Sequence, residues 1–364
     1  MTIRQPHMIE RSNFIRKLIQ ILFFVIVTGI GVRFYQFVSL IDAGVLPGFE
    51  RPPGVEAFLP ISALVSLKYF LFTGKINPIH PSALVLFLII CMTALILKKG
   101  FCSWICPFGF LSEFLGKLHF RIFKKGLSIP LWMDLILRSL KYIIAVFFIW
   151  NIFYQMPLSS VEEFIQSPYN RFADIKMLKF FTRISATAFT IILILSILSI
   201  IIRNCWCRYL CPYGALLGVI SFLSVGRIIR NPLNCTKCGK CEKTCPGLIK
   251  IRQKDQINSS ECTACMECIN ICPEKDAIGF SLFSGKFSVN ELSLALILLL
   301  FFTIGISMAK HSGKWQNNIS KNEYLDYSTT QSTFTWSTNR QIDPHKMEKM
   351  VKMMKKMKNQ GAYK

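Results

Sequence analysis

Five stretches of the chain run almost without charge for long enough to approach or exceed the span of a roughly 30 Å hydrocarbon core. They cover residues 18–38, 81–97, 141–154, 184–202 and 292–308, the third extending backwards through 135–140. None shows the two-residue alternation of a half-buried strand, so each predicts a helix. The first follows Arg4, Arg11, Arg16 and Lys17, and no small-x-small cleavage site comes after it, so it reads as an uncleaved first helix. A sixth stretch, 58–73, is short and interrupted by Pro60 and Lys68, with Gly74 at its end; it reads as a re-entrant or interfacial helix. The pattern predicts a polytopic α-helical membrane protein of about five transmembrane helices.

Charge orients that arrangement. With 58–73 not crossing, the basic segments 4–17, 98–141 and 203–286 share one face, the cytoplasmic one under the positive-inside rule. Segments 41–80 and 157–179, where Asp42, Glu50, Glu56, Glu162, Glu163 and Asp174 offset the basic residues, lie outside. The same topology puts the lysine-rich tail after the last span on the outer side, against the charge rule. A last helix that does not cross would keep that tail inside.

The 364 residues are 52% hydrophobic with a net charge of +23. Because the positive charge is spread between apolar runs and not gathered in one domain, it argues for a membrane and against nucleic acid. Fourteen cysteines require a reducing compartment, which agrees with a cytoplasmic face.

Eight of those cysteines form two runs, Cys235-x2-Cys238-x2-Cys241-x3-Cys245-Pro246 and Cys262-x2-Cys265-x2-Cys268-x3-Cys272-Pro273. This is the bacterial two-cluster ferredoxin spacing, in which the fourth cysteine of each run crosses to the other cube. One [4Fe-4S] cluster is expected on Cys235, Cys238, Cys241 and Cys272, the other on Cys262, Cys265, Cys268 and Cys245. An inserted α+β ferredoxin domain over 227–285 follows. It divides the chain into a cytoplasmic N-terminus (1–17), a membrane domain (18–226), the ferredoxin, a C-terminal transmembrane helix (286–309) and a polar linker with a tail (310–364).

A subtler motif occurs twice. Phe101-Cys102-x3-Cys106-Pro107-Phe108-Gly109 and Trp206-Cys207-x3-Cys211-Pro212-Tyr213-Gly214 are both aromatic-Cys-x3-Cys-Pro-aromatic-Gly, each just past the end of an apolar run. Four thiolates from two such pairs suit a third [4Fe-4S] cluster, since Cys-x3-Cys-Pro is the closing half of a ferredoxin run. A dithiol relay or a soft metal such as copper(I) is the alternative. Cys205 and Cys91 read as bystanders, the latter a small buried apolar residue.

Other chemistry is sparse. No Cys-x-x-Cys-His, Gly-x-Gly-x-x-Gly or Walker sequence occurs. Only His80 among the five histidines borders a span. Together with Glu56 it could accept quinol protons beside an apolar slot, or it could simply cap a helix. In the tail, Asp343-Pro344 opens a helix on which Met347, Met350, Val351, Met354 and Met357 share a face among lysines. That face reads as a membrane-surface or partner-binding stripe, with copper(I) as the alternative.

The segment Arg51-Pro-Pro-Gly-Val-Glu-Ala-Phe-Leu-Pro60, the two Cys-x3-Cys-Pro pairs and the two ferredoxin runs together resemble the NapH/NosR-type membrane polyferredoxins over residues 15–285. The resemblance implies a multi-pass protein of a prokaryotic cytoplasmic membrane. Its implied role is to pass electrons between the quinone pool, cytoplasmic clusters and partner redox subunits, either soluble ferredoxin-like proteins or periplasmic reductase components. Copper-reducing proteins of oxidase assembly carry similar pairs, so metal reduction is the alternative function, and redox sensing a third. The C-terminal span and Met/Lys tail depart from the simplest four-span members, and no flavin-attachment domain is present.

Overall fold

The computed structural model describes residues 7–123 and 130–337. The methionine-rich tail expected at 343–357 lies outside them. In chain order the helices are α1 (His7–Asp42), α2 (Pro60–Thr73), α3 (Pro81–Leu97), α4 (Gly100–Trp104), α5 (Pro107–Phe123), α6 (Leu131–Trp150), α7 (Leu158–Gln166), α8 (Pro168–Arg171), α9 (Ala173–Thr182), α10 (Ala186–Ile201), α11 (Pro212–Ile220), α12 (Lys240–Thr244), α13 (Glu267–Asn270), α14 (Glu291–His311) and α15 (Lys321–Ser337). Strands β1 (Gly226–Arg230), β2 (Gln256–Ile257), β3 (Ile278–Leu282) and β4 (Phe287–Val289) form one antiparallel sheet in the order β2-β1-β3-β4.

Helices occupy all five apolar runs. Among the described residues, three are long and apolar enough to cross a membrane: 14–42 in α1, 132–155 from α6 into a π turn, and α14. A fourth crossing is available if α9 and α10, bent by 78° at their junction, act as one span. By contrast, α3 has 17 residues and is roughly 25 Å long, short of the hydrocarbon core. It stops because Lys98 turns to φ +56°.

The membrane helices are apolar all round, with two kinds of neighbour. On α14, Leu294, Ala295, Leu298 and Phe302 are buried in the protein, while Leu292, Leu296, Leu300, Ile304 and Met308 form an exposed stripe at four-residue spacing. That second stripe needs lipid. The protein is therefore a membrane protein. Close packing of α14 on α3 uses Gly305, where a Cβ would fall 2.5 Å from Ile89 Cδ1.

Lys68, the charge that made 58–73 hard to read, is buried in α2. It donates to the carbonyls of Ile152 and Phe153 at 3.0 and 3.1 Å, and to that of Met156. Those carbonyls end the α6 span in a π turn (Asn151–Gln155), and the ammonium satisfies groups the helix leaves open.

Two compact units emerge. The larger one holds residues up to Arg33 and 52–318 and contains every cysteine. The smaller one holds Phe34–Arg51 and, among the described residues, 319–337. In it, α15 occupies part of the stretch expected to be a linker. Its N-terminus is a capping box: the Glu323 amide donates to Ser320 Oγ (3.2 Å) while Glu323 Oε1 accepts from the Ser320 amide (3.3 Å). Tyr324 then packs edge-on against Phe37 with ring centroids 5.5 Å apart.

Candidate functional site: three sets of cysteines

The two ferredoxin runs curl in the same way. Lys237 and Gly239 flank Cys238 with φ +53° and +75°, and Ala264 and Met266 flank Cys265 with φ +50° and +59°. Left-handed residues on both sides of a cysteine turn the backbone amides inward, which forms a nest for negative charge. The Ala264 amide donates to Cys262, and the Gly247 and Ile249 amides to Cys245. One cavity is lined by Cys235, Cys238, Cys241 and Cys272, and another by Cys245, Cys262, Cys265 and Cys268. The fourth cysteine of each run thus joins the three of the other. Each cradle offers four thiolates and inward amides, the donor set an iron–sulfur cube requires, so the residues fit the cofactor. The cradles differ in exposure: Cys238 lies open to solvent, while Cys262, Cys265 and Cys268 are buried.

The third set assembles from the repeated motif. Cys106-Pro107 and Cys211-Pro212 start α5 and α11, placing a cysteine at each N-cap and a proline at N1, where its missing amide costs nothing. The Gly214 amide donates to Cys211 Sγ at 3.3 Å. In the first copy the Gly109 amide does the same for Cys106. The motif glycine is therefore the third residue of the helix, and two helix N-termini face the thiols. Cys106 feels the charge of Cys102, Cys207 and Cys211, so the structure brings both pairs to one site. Ser112, on α5, completes it with a hydrogen bond to Cys207.

As free thiols these cysteines would be poor reagents. Burial pushes Cys102 up to about 11 and Cys207 up to about 12.

Both copies of the motif are bonded to the Cys245/Cys262 cradle. From the first, the Lys99 amide donates to the Cys262 carbonyl (3.4 Å), Ser103 Oγ to that of Thr263 (2.5 Å) and Trp104 Nε1 to that of Ala264 (3.0 Å). From the second, Arg208 Nη1 donates to the Pro246 carbonyl (3.2 Å), and nearby Arg203 donates to that of Thr244 (3.1 Å). Arg208 is fixed by a bidentate pair with Asp134 at 2.8 Å, and Tyr209 donates to the same carboxylate at 2.7 Å.

Buried ions close the seam. Lys141 Nζ meets both Glu261 oxygens at 2.7 and 2.9 Å, and Lys99 Nζ stands 3.6 Å away. Burial pushes the Glu261 carboxyl up, but the two ammonium groups outweigh it and hold the group below its ordinary range. Lys98 donates to Asn258 and to the Ser221 carbonyl, and Arg16 bridges Glu113 and Glu267. The segment 98–141 is expected on the cytoplasmic face from its charge; within it Lys98, Lys99 and Lys141 are buried against their partners. The available signal was their placement, with Lys98-Lys99 just ahead of Cys102 and Glu261 just ahead of Cys262.

His80 and Glu56 do meet, His80 Nδ1 lying 3.3 Å from Glu56 Oε1. They are 0 and 1% exposed. Glu56 caps α3, accepting from the Ala83 amide at 2.9 Å and from Ser82 Oγ, and His80 Nε2 lies 2.6 Å from the Asn170 carbonyl oxygen. The pair sits at the opposite end of α3 from the cysteines, roughly 25 Å away along the helix.

Comparison with known proteins follows the same division. A 4Fe-4S binding domain family matches residues 79–130 and 184–231, one Cys-x3-Cys-Pro motif in each, and a 4Fe-4S dicluster domain family matches 227–273. YccM of Escherichia coli (strain K12), named as an electron transport protein, is 38% identical over 315 residues, covering 85% of this chain and 88% of its own. The chain belongs to the NapH/NosR-type membrane ferredoxins. The ferredoxin-type protein NapH of Haemophilus influenzae is 28% identical over 54% of this chain and 68% of its own length. The regulatory protein NosR of Pseudomonas aeruginosa is 26% identical over 58% of this chain but only 29% of its own. No solved structure matches. As a NapH/NosR-type ferredoxin, this is an iron–sulfur electron-transfer protein.

Proposed function

We propose that the chain is a non-autonomous electron-transfer subunit that exchanges electrons between the quinone pool and partner redox proteins at a cytoplasmic membrane, with its ferredoxin domain in the cytoplasm. Cys235, Cys238, Cys241 and Cys272 hold one [4Fe-4S] cluster and Cys262, Cys265, Cys268 and Cys245 a second. Cys102, Cys106, Cys207 and Cys211 hold a third. Each cluster, when bound, supplies one-electron chemistry at its irons.

The observation that carries this reading is the double seam, in which both Cys-x3-Cys-Pro copies bond to the backbone around Cys245 and Cys262. Residues that fix two cofactors at one short separation are what an electron relay needs. Lys99 and Lys141 lie beside the thiols of the third site and offset the negative charge that four thiolates bring. The charge pattern 98–141 and 203–286 supports the cytoplasmic assignment. Glu56 caps α3 through Ser82 and Ala83, and His80 lies against its carboxylate.

The test uses protein purified anaerobically in detergent and reduced with dithionite. A water-soluble menaquinone analogue should reoxidise the clusters, and Cys102→Ser with Cys207→Ser should slow this on the order of 10²-fold, the scale of losing a positioned reaction partner. Equal rates in both proteins would sink the proposal.

A further inference from the structure

The two ferredoxin cradles are chemically alike but differently placed. The Cys245/Cys262 cradle is buried and bonded to the membrane cysteines. The Cys235/Cys272 cradle opens to solvent at Cys238, and its cations are outside, not inside. Lys237, Lys240 and Arg252 line it, and Lys243, Lys250 and Lys254 are exposed on the same stretch of chain. Arg252 lies across the cradle, donating to the Lys237 carbonyl (3.3 Å) and paired with Glu242 (3.0 Å). Leu233 is 93% exposed two residues before Cys235. On the Pro273 side, Glu274 and Asp276 stand with Lys275, so the positive field is one-sided.

A solvated basic face is the ordinary use of lysines near a membrane. Three features together ask for more: an exposed ligand cysteine, a cluster of like charge on one side of it, and an uncovered apolar side chain two residues before Cys235. Like charges crowded on short turns repel one another and are relieved by a partner of opposite sign.

We propose that this rim is the docking site of a soluble, acidic iron–sulfur carrier, with Leu233 as its apolar anchor and Cys238 as the point of closest approach to the cofactor. The proposal rests on the electron-transfer reading above and assigns its soluble end. Exchange moves one electron: it leaves the carrier's reduced iron–sulfur centre, which is oxidised, and enters the cube held by Cys235, Cys238, Cys241 and Cys272, which is reduced. No proton and no covalent bond is involved, and the reverse transfer balances in the same way.

The test measures binding of an acidic soluble 2[4Fe-4S] ferredoxin to the full-length, cluster-loaded protein in detergent, with the cluster spectra recorded separately by electron paramagnetic resonance. Lys243→Glu, Lys250→Glu and Lys254→Glu combined, none of which lines the cradle, should weaken binding by about tenfold or more and flatten its salt dependence, with the cluster spectra unchanged. Lys75→Glu, on a distant turn, should change neither. Equal affinity for the wild type and the triple variant would overturn the docking site while the spectra still upheld the clusters. Loss of binding to phosphatidylglycerol vesicles, with no ferredoxin binding in either protein, would overturn it in favour of a membrane-facing surface. A wild type without cluster signals would defeat the electron-transfer reading itself.

Discussion

Single residues decide whether the third cysteine set forms. Gly109 and Gly214 hold the same place in the two motif copies but not the same space. A Cβ on Gly109 would stand 2.0 Å from the Cys102 carbonyl oxygen, whereas the nearest atom to one on Gly214 is 3.6 Å away. Gly109→Ala should therefore disrupt the site, costing about 2–4 kcal/mol in thermal unfolding and lowering the iron content, and Gly214→Ala should be tolerated. Equal effects would mean that the copies are packed alike. Asp134 offers a second test. Asp134→Asn leaves the Arg208 guanidinium buried without its charge partner, and should cost about 3–5 kcal/mol. Asp134→Asn with Arg208→Met should recover part of that loss; a double variant as unstable as the sum of the singles would show no coupling. The cysteines were legible in the sequence because their spacing repeats. Asp134 was not, because a carboxylate far from any motif gains its meaning only from a cation that the fold brings from far along the chain.

At the scale of elements, the apolar runs locate the helices well. The run 81–97 is α3 from end to end, and the helix stops at Leu97 because Lys98 turns away to reach Asn258 and Ser221. The run 58–73 was ambiguous because Lys68 looks like a charge in lipid, and periodicity cannot show that the end of α6 supplies three carbonyls for it. Lys68→Met keeps the volume and removes those bonds. It should cost about 1–3 kcal/mol, seen as earlier release of the α6 terminus in hydrogen exchange. Unchanged protection at 152–156 would argue that the contact is incidental. The helix α15 was readable all along, since Ser320-x-x-Glu323 is a capping box. The polar composition of 312–342 hid it.

For the whole molecule, the fold serves one juxtaposition. Helices α4, α5, α6 and α11 and the turn 206–210 carry the third cysteine set and its partners, and the ferredoxin sheet begins where α3 ends. At Gly226 the approach is so close that a Cβ would fall 2.4 Å from the Ile96 carbonyl oxygen. Cys245 and Cys262 lie against the seam and Cys238 faces outward, so the three sets read as a path from the membrane cysteines through the buried cradle to the exposed one. The measurement closest to this claim is the iron and acid-labile sulfide content of protein purified anaerobically. The account predicts about twelve irons per chain, falling to about eight in Cys102→Ser with Cys207→Ser while the spectra of both ferredoxin clusters persist. About eight irons in both proteins would contradict it.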